Sequence, residues 1–165
     1  MRTDPRKRAE GLVAKHDITS PPVDVRRIAL AEGITVLPGD FSPDLSALLM
    51  YRRGRYVIGV NKTHPEKRQR FSIAHELGHF LLHGSVFHAD AEKEEGLIMF
   101  RDDTSSRGID PKEIEANAFA ASLLMPTEMF RQVWTELGGD TRRIAERFQV
   151  SDKAVELRKK KLGLV

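Results

Sequence analysis

Residues 70–83 read RFSIAHELGHFLLH and contain an H-E-x-x-H pattern at His75, Glu76 and His79. On an α-helix, residues four positions apart lie on one face, about one turn from each other. Two imidazoles at that spacing can bind one metal ion, and a glutamate beside the first of them can reach a water molecule on that ion. The pattern therefore predicts the metal-binding helix of a zinc-dependent hydrolase.

Apolar and small residues surround this pattern at helical spacing, at Phe71, Ala74, Leu77, Gly78 and Leu81. Their period predicts one amphipathic helix at about 66–84, with the pattern against the core. The alternative interpretation is that both histidines are partly buried and hydrogen-bond to the backbone. We favour the metal site because the apolar stripe continues through the pattern and Gly78 removes side-chain bulk beside the second histidine.

The two histidines need a third protein ligand, since a catalytic zinc ion has three and keeps one position open to water. The chain has no cysteine, and the sixth residue after His79 is Ser85 rather than a third histidine. A carboxylate must therefore complete the set. The run EIEANAFAA at 113–121 supplies one, on a later helix predicted at about 111–125.

Two glutamates of this run compete for the third position. Glu113 has Asn117 one turn later, and a polar residue there can hydrogen-bond to a liganding histidine. Glu113 also matches a capping box with Asp110, which is its structural alternative. Glu115 lies on a neighbouring face and is the competing ligand. We favour Glu113 because small residues continue its face of the helix.

Glu76 is predicted to be the general base that takes a proton from the attacking water. The oxyanion needs a hydrogen-bond donor besides the metal, and His83, His88 and Tyr56 are the candidates. His83 extends the four-residue register of the histidines. Its role is open among three alternatives: a substrate contact, a neighbour of a metal ligand, or an exposed or structural residue. Zinc is the expected metal, although manganese or iron can occupy a His/His/Glu site.

The rest of the chain predicts an α+β fold, in which helices pack on a small antiparallel sheet and a helical segment follows. The apolar runs at 45–51 and 55–61 are joined by Arg52-Arg53-Gly54, which is a hairpin signature. Further strands are expected at 34–37 and near 97–100. Further helices are expected at 5–16, 24–32, 127–137, 141–148 and from 152 onward.

Composition indicates a soluble globular protein, with 40% hydrophobic and 31% charged residues and a net charge of +3. No apolar run reaches the length of a membrane span, and the charged N-terminus leads into no apolar stretch, so we expect no signal peptide and no membrane partner. The absence of cysteine fits a reducing cytosol, which predicts a cytoplasmic protein. We interpret the basic clusters near both ends as solvated helix surface rather than as nucleic-acid sites.

Two segments resemble the ImmA/IrrE family of bacterial metallo-endopeptidases. Residues 70–83 look like the metal helix of that family, and EIEANAFAASLLMP at 113–126 looks like its E-x-x-A-N-x-F-A helix and Leu-Met-Pro exit. The resemblance extends over roughly residues 8–165. It implies a minimal zincin fold, zinc held by His75, His79 and Glu113, and catalysis by Glu76.

The resemblance also implies a biological role. Members of this family make limited cuts in helix-turn-helix transcriptional repressors, often encoded nearby, and so regulate mobile elements, prophages, toxin–antitoxin systems or stress responses. The expected partner is therefore a protein substrate of this kind. The alternative function is a non-catalytic regulatory protein that uses the fold to bind a repressor or DNA.

We divide the chain into a zincin-like metallopeptidase region at 1–126 and a helical C-terminal segment at 127–165. Residues 141–155 have helix-turn-helix spacing and precede a basic last helix. Direct DNA binding would require Lys153 and Arg158 to reach phosphates or bases. We favour the interpretation that this segment packs on the peptidase and docks its protein substrate.

Overall fold

The computed structural model of the chain describes residues 3–86, 98–103 and 110–165. It has the α+β class that the sequence predicts, and the predicted elements lie close to their expected bounds. The helices are α1 (Pro5–Lys15), α2 (Val25–Ala31), α3 (Glu66–His83), α4 (Pro111–Leu124), α5 (Thr127–Glu136), α6 (Thr141–Phe148) and α7 (Asp152–Lys161). The strands are β1 (Ile34–Gly39), β2 (Leu45–Arg52), β3 (Arg55–Asn61) and β4 (Ile98–Asp103).

The four strands form one sheet in the order β1-β3-β2-β4. Strands β2 and β3 form the predicted hairpin, and β4 pairs antiparallel with β2. Strand β1 pairs parallel with β3, so the sheet is mixed rather than purely antiparallel as expected. Strand β2 runs opposite to β1, and the hairpin reverses the chain again, so β3 runs in the same direction as β1. Because β3 rather than β2 lies next to β1, this pair is parallel.

Local interactions fix the connections on either side of β2. At the hairpin turn, Arg53 and Gly54 have φ angles of 50° and 72°, the left-handed pair that a two-residue hairpin turn requires. Before β2, the fully buried Asn61 donates from Nδ2 to the carbonyl oxygens of Leu45 at 2.9 Å and Ser42 at 3.1 Å. These bonds hold the β1–β2 loop against the end of β3.

The core lies between the sheet and helix α3. Ile58 and Val60 of β3 belong to the same buried apolar cluster as Ile73 and Leu77 of α3. Helices beyond residue 126 contribute to that cluster too, through Phe130, Phe148 and Val155. The division of the chain at residue 126 stays a prediction. Among the described residues, every helix is too short or too polar to cross a bilayer.

Candidate metal centre

Helices α3 and α4 approach closely because α3 has a glycine at their contact. A β-carbon built on Gly78 would lie 2.9 Å from Cδ1 of Phe119 and 3.3 Å from Cα of Ala116, both on α4. The first distance is shorter than van der Waals contact allows, so a side chain at position 78 would displace α4 or the Phe119 ring. The glycine thereby sets the distance between the histidines of α3 and the first turn of α4.

The first turn of α4 carries Glu113 toward those histidines. Asp110 accepts a hydrogen bond from the backbone N–H of Lys112 at 2.9 Å, and Pro111 occupies the first helical position. The carboxylate of Glu113 does not turn back toward this cap. It contacts the imidazoles of both His75 and His79.

Three ligand-type side chains, His75, His79 and Glu113, therefore converge on one point. The Nε2 atoms of His75 and His79 are 3.0 Å apart, and they lie 3.0 and 2.9 Å from the two carboxylate oxygens of Glu113. Both imidazoles are almost fully buried, whereas the Glu113 side chain is 21% exposed. Solvent can thus approach the cluster from the α4 side.

Asn117 fixes the orientation of the His75 ring in this cluster. Its Oδ1 lies 2.9 Å from Nδ1 of His75, and because an amide oxygen only accepts, Nδ1 must carry the proton and donate it. Nε2 of His75 is then the ring atom that faces Glu113, and it is the atom that a metal ion can bind.

The electrostatics of Glu113 and His79 favour the protonation states in which these two groups bind a metal. Contacts with His75 and then with His79 hold the pKa of the Glu113 carboxyl far below its ordinary value, so it is ionised. Burial lowers the pKa of the His79 imidazole below its ordinary value and favours the neutral ring. A carboxylate and two neutral imidazoles are the ligand forms that a divalent ion requires.

The donor set and its dimensions fit a divalent ion such as zinc. Bonds of about 2.0–2.1 Å in tetrahedral geometry place ligand atoms about 3.3 Å apart, close to the separations of 2.9–3.0 Å found here. Nitrogen and carboxylate ligands without sulfur suit zinc and also manganese or iron. Three protein ligands of this kind leave room for a water molecule or a substrate oxygen.

The other site residues expected from the sequence take different places. Glu76 is fully buried on α3, directly after the first imidazole. Glu115 lies away from the metal cluster, with Oε2 3.4 Å from Nε2 of the buried His83. The ring of Tyr56 packs on Phe80, the residue after His79, with ring centroids 4.9 Å apart. His88 lies outside the described residues.

Two buried arginines connect the surrounding helices, and these structural roles were missed by the sequence analysis. Arg70 of α3 donates to the carbonyl oxygens of Val23 at 2.9 Å and Gln149 at 3.2 Å, and so attaches the metal helix to the end of α6. Arg158 of α7 is only 5% exposed and donates from Nε to the carbonyl oxygen of Met125 at 2.9 Å. Arg158 is therefore not available for the DNA contact considered for it.

Comparison with known proteins agrees with this geometry. The family model Peptidase_M78, described as the IrrE N-terminal-like domain, matches residues 29–160. "Uncharacterized immunity region protein 2" of Bacillus phage phi105 is 28% identical over 116 residues, which are 70% of this chain and 64% of that protein. A solved structure described as "Mycobacterium tuberculosis transcriptional regulator" has a TM-score of 0.64 at 23% identity, over 92% of this chain and 44% of that one.

The chain thus spans less than two thirds of the length of either relative. The regulator shares the fold at an identity too low to carry more than that. The family match covers most of the chain and includes both helices of the candidate metal centre. The chain belongs to the Peptidase_M78 family of IrrE N-terminal-like domains.

Proposed function

We propose that the protein is a metal-dependent endopeptidase, with His75, His79 and Glu113 as metal ligands and Glu76 as general base. The observation that carries this proposal is the convergence of two imidazole nitrogens of α3 and a carboxylate of α4 within 4.8 Å of one another, where α3 also holds the buried Glu76. Zinc is the proposed metal because its preferred ligands and geometry match this set.

The bound ion would supply a Lewis acid for the scissile carbonyl and would acidify a water molecule at neutral pH. Glu76 accepts the proton of the attacking water and later delivers it to the leaving amine. Asn117 keeps the His75 ring in the tautomer and orientation that leave Nε2 for the ion. Gly78 keeps α4 close enough for Glu113 to complete the ligand set.

The proposed substrate is an extended segment of a helix-turn-helix transcriptional repressor in the cytoplasm. Strand β4 lies at an edge of the sheet, and an edge strand can pair with an extended peptide through main-chain hydrogen bonds. The name of one relative, an immunity region protein of a Bacillus phage, supports a target in gene regulation. Limited cleavage of such a repressor would relieve repression in one irreversible step.

A comparison of three proteins tests this proposal: the zinc-loaded wild type, Glu76→Gln and Glu115→Gln. Each is incubated with the helix-turn-helix repressor encoded nearest to the gene, and the products are identified by mass spectrometry. We expect the wild type and Glu115→Gln to cut the repressor at a few positions. Glu76→Gln should bind zinc normally and cleave about 10²–10⁴-fold more slowly, which is the usual contribution of a general base.

Two results would reject the proposal. Cleavage by Glu76→Gln at the wild-type rate would remove Glu76 from the mechanism. Binding of the repressor without cleavage by the zinc-loaded wild type would instead support the alternative function, a non-catalytic regulator that binds a repressor.

A further inference from the structure

Three helices that are far apart in sequence meet around a partly buried polar network. Glu10 of α1 accepts hydrogen bonds from the backbone N–H of Thr127 at 2.9 Å and from its hydroxyl at 2.6 Å. Arg158 of α7 donates to the same hydroxyl at 3.2 Å, and its Nη2 lies 3.8 Å from Oε1 of Glu10. The network thus joins the start of α5 to α1 and α7.

An exposed cation lies one turn from each member of this network. Arg6 precedes Glu10 by four residues, Arg131 follows Thr127 by four, and Lys161 follows Arg158 by three. Residues at these spacings share a helix face, so the three cations emerge on the same side of the molecule. Nη2 of Arg131 also donates to the carbonyl oxygen of Leu162 at 3.3 Å, which brings α5 to the end of α7.

The charges of Arg6 and Arg131 act on the guanidinium of Arg158 in the network. Burial lowers the pKa of the Arg158 guanidinium, Glu10 opposes that shift, and the positive charges of Arg6 and Arg131 add to it. Cations from the two ends of the sequence therefore form one surface together with Arg131, and we call it the terminal basic surface (Arg6, Arg131 and Lys161).

The acidic residues of the same helices do not neutralise this surface. Asp4 caps α1, and Glu10 is engaged inside the network. Glu156 contacts Thr141 and Lys159, and Glu136 of α5 contacts Arg147. Glu128 and Asp152 are exposed, and Asp152 lies in the first turn of α7, at the opposite end of that helix from Lys161.

We propose that the terminal basic surface binds the phosphate backbone of duplex DNA without reading its sequence. Guanidinium groups match phosphate oxygens in a planar, two-pronged geometry, and lysines add point charges. Binding of single strands depends on exposed aromatic rings for stacking, and the large exposed apolar residues of the described chain include no aromatic residue. A membrane surface would require an apolar face beside the cations, yet Leu157 is the one large exposed apolar side chain on the described parts of α1, α5 and α7.

The surface lies far from the candidate metal centre along α4. Arg158 binds the carbonyl of Met125 at the end of that helix, twelve residues after Glu113 and roughly 18 Å away along the axis. DNA on this surface would therefore leave the metal ligands accessible. Such binding does not depend on the proposed peptidase activity, but it would concentrate the protein where a DNA-bound target is found.

Fluorescence anisotropy with a labelled duplex of mixed sequence tests this proposal, between about 50 and 200 mM salt. One variant combines Arg6→Gln, Arg131→Gln and Lys161→Gln. The matched control combines Arg27→Gln, Arg52→Gln and Arg55→Gln, which removes three exposed cations elsewhere and lowers the net charge equally. Both variants are checked by thermal unfolding.

We expect the wild type to bind with an affinity that falls steeply as salt rises. Each lost phosphate contact lowers the slope of log K against log salt by about 0.9, so the surface variant should lose about 2.7 in slope and at least about tenfold in affinity at low salt. The control should stay within about twofold. The single variant Lys161→Gln, in the last turn of α7, should lose about 0.9 in slope and serves if the triple variant unfolds.

Four outcomes would overturn the proposal. The wild type could fail to bind duplex DNA even at low salt, or the two triple variants could weaken binding equally, which would indicate net charge alone. Tighter binding to vesicles rich in phosphatidylserine than to the duplex would assign the surface to a membrane. Tighter binding to single-stranded RNA would assign it to that ligand.

Discussion

The candidate metal centre and the Glu10–Thr127–Arg158 network are both polar clusters between helices, but they differ in composition. In the network, guanidinium and hydroxyl donors meet carboxylate and carbonyl acceptors. In the candidate metal centre, a carboxylate faces two imidazole nitrogens, and these are ligand types that a divalent ion binds. The first arrangement pairs donors with acceptors, whereas the second also has the composition of a cation site.

This difference separates a structural cluster from a binding site. Buried polar groups are ordinarily paired, and leaving an acceptor without a donor costs free energy of unfolding. The network should therefore stabilise the protein without any ligand. The metal centre should contribute most of its stabilisation only when metal is bound, because binding to the folded state alone raises its stability.

The largest expected effect is the loss of metal binding on Glu113→Gln. The substitution keeps the shape of the side chain but removes its charge. We expect the affinity for zinc to fall by more than about 100-fold, which is the largest loss typical of substituting a residue that only hydrogen-bonds to a metal ligand. The metal-free protein should lose less stability than the zinc-loaded protein, because only the zinc-loaded protein also loses a metal bond. Calorimetric titration and urea unfolding measure the two quantities. An unchanged affinity would remove Glu113 from the ligand set, and Glu115→Gln is the matched control.

Arg158→Met should have the opposite signature. The methionine keeps much of the side-chain length, but it leaves Glu10 without its cation and the carbonyl of Met125 without its donor. A buried carbonyl without its donor costs about 1–3 kcal/mol in the free energy of unfolding. Zinc affinity should stay within about threefold, because Arg158 contacts the end of α4 that lies opposite Glu113. A tenfold change in affinity would require a change of about 1.4 kcal/mol in binding free energy. A stability loss below about 1 kcal/mol would mean that the network is not structural.

Asn117→Ala is expected to weaken zinc binding by about 10–100-fold, because the ring of His75 loses the acceptor that fixes its tautomer. The side chain is exposed, so the stability of the metal-free protein should change by no more than about 0.5 kcal/mol. Asn117→Asp restores an acceptor and should recover most of the affinity. Equal affinities for the alanine variant and the wild type would show that Asn117 does not position His75.

Gly78→Ala should have the smallest of these effects. The new methyl group meets Phe119 and the backbone of Ala116, and this overpacking costs about 1–3 kcal/mol, offset in part by a gain of about 1 kcal/mol in helix propensity. We expect a net loss of about 1 kcal/mol and weaker zinc binding. Gly11→Ala is the control, since a β-carbon there meets nothing within 4 Å and should stabilise α1. Identical responses at the two glycines would contradict the close approach of α3 and α4.

Local sequence patterns predicted most of the fold. The period of the apolar residues gave helix α3 and the shared face of His75 and His79, because both follow from helix geometry alone. The spacing from Glu113 to Asn117 likewise follows from one turn of α4. The hairpin was predictable because its turn is local, with Gly54 at the position that needs a positive φ.

Contacts between distant segments were not predictable in the same way. Pairing of β1 with β3 depends on which strand of the hairpin lies next to β1, and no local sequence pattern specifies that choice. The choice between Glu113 and Glu115 depends on how α4 crosses α3, which Gly78 and Phe119 set. Arg158 is one residue of a basic run, and such a run looks exposed throughout until the neighbouring helices are known.

The most direct test of the account is anomalous diffraction from crystals loaded with zinc. We predict one ion about 2.0–2.2 Å from Nε2 of His75, Nε2 of His79 and a carboxylate oxygen of Glu113, with a water molecule at the fourth position. An ion bound instead between His83 and Glu115, or a fourth protein side chain that closes the site, would contradict it.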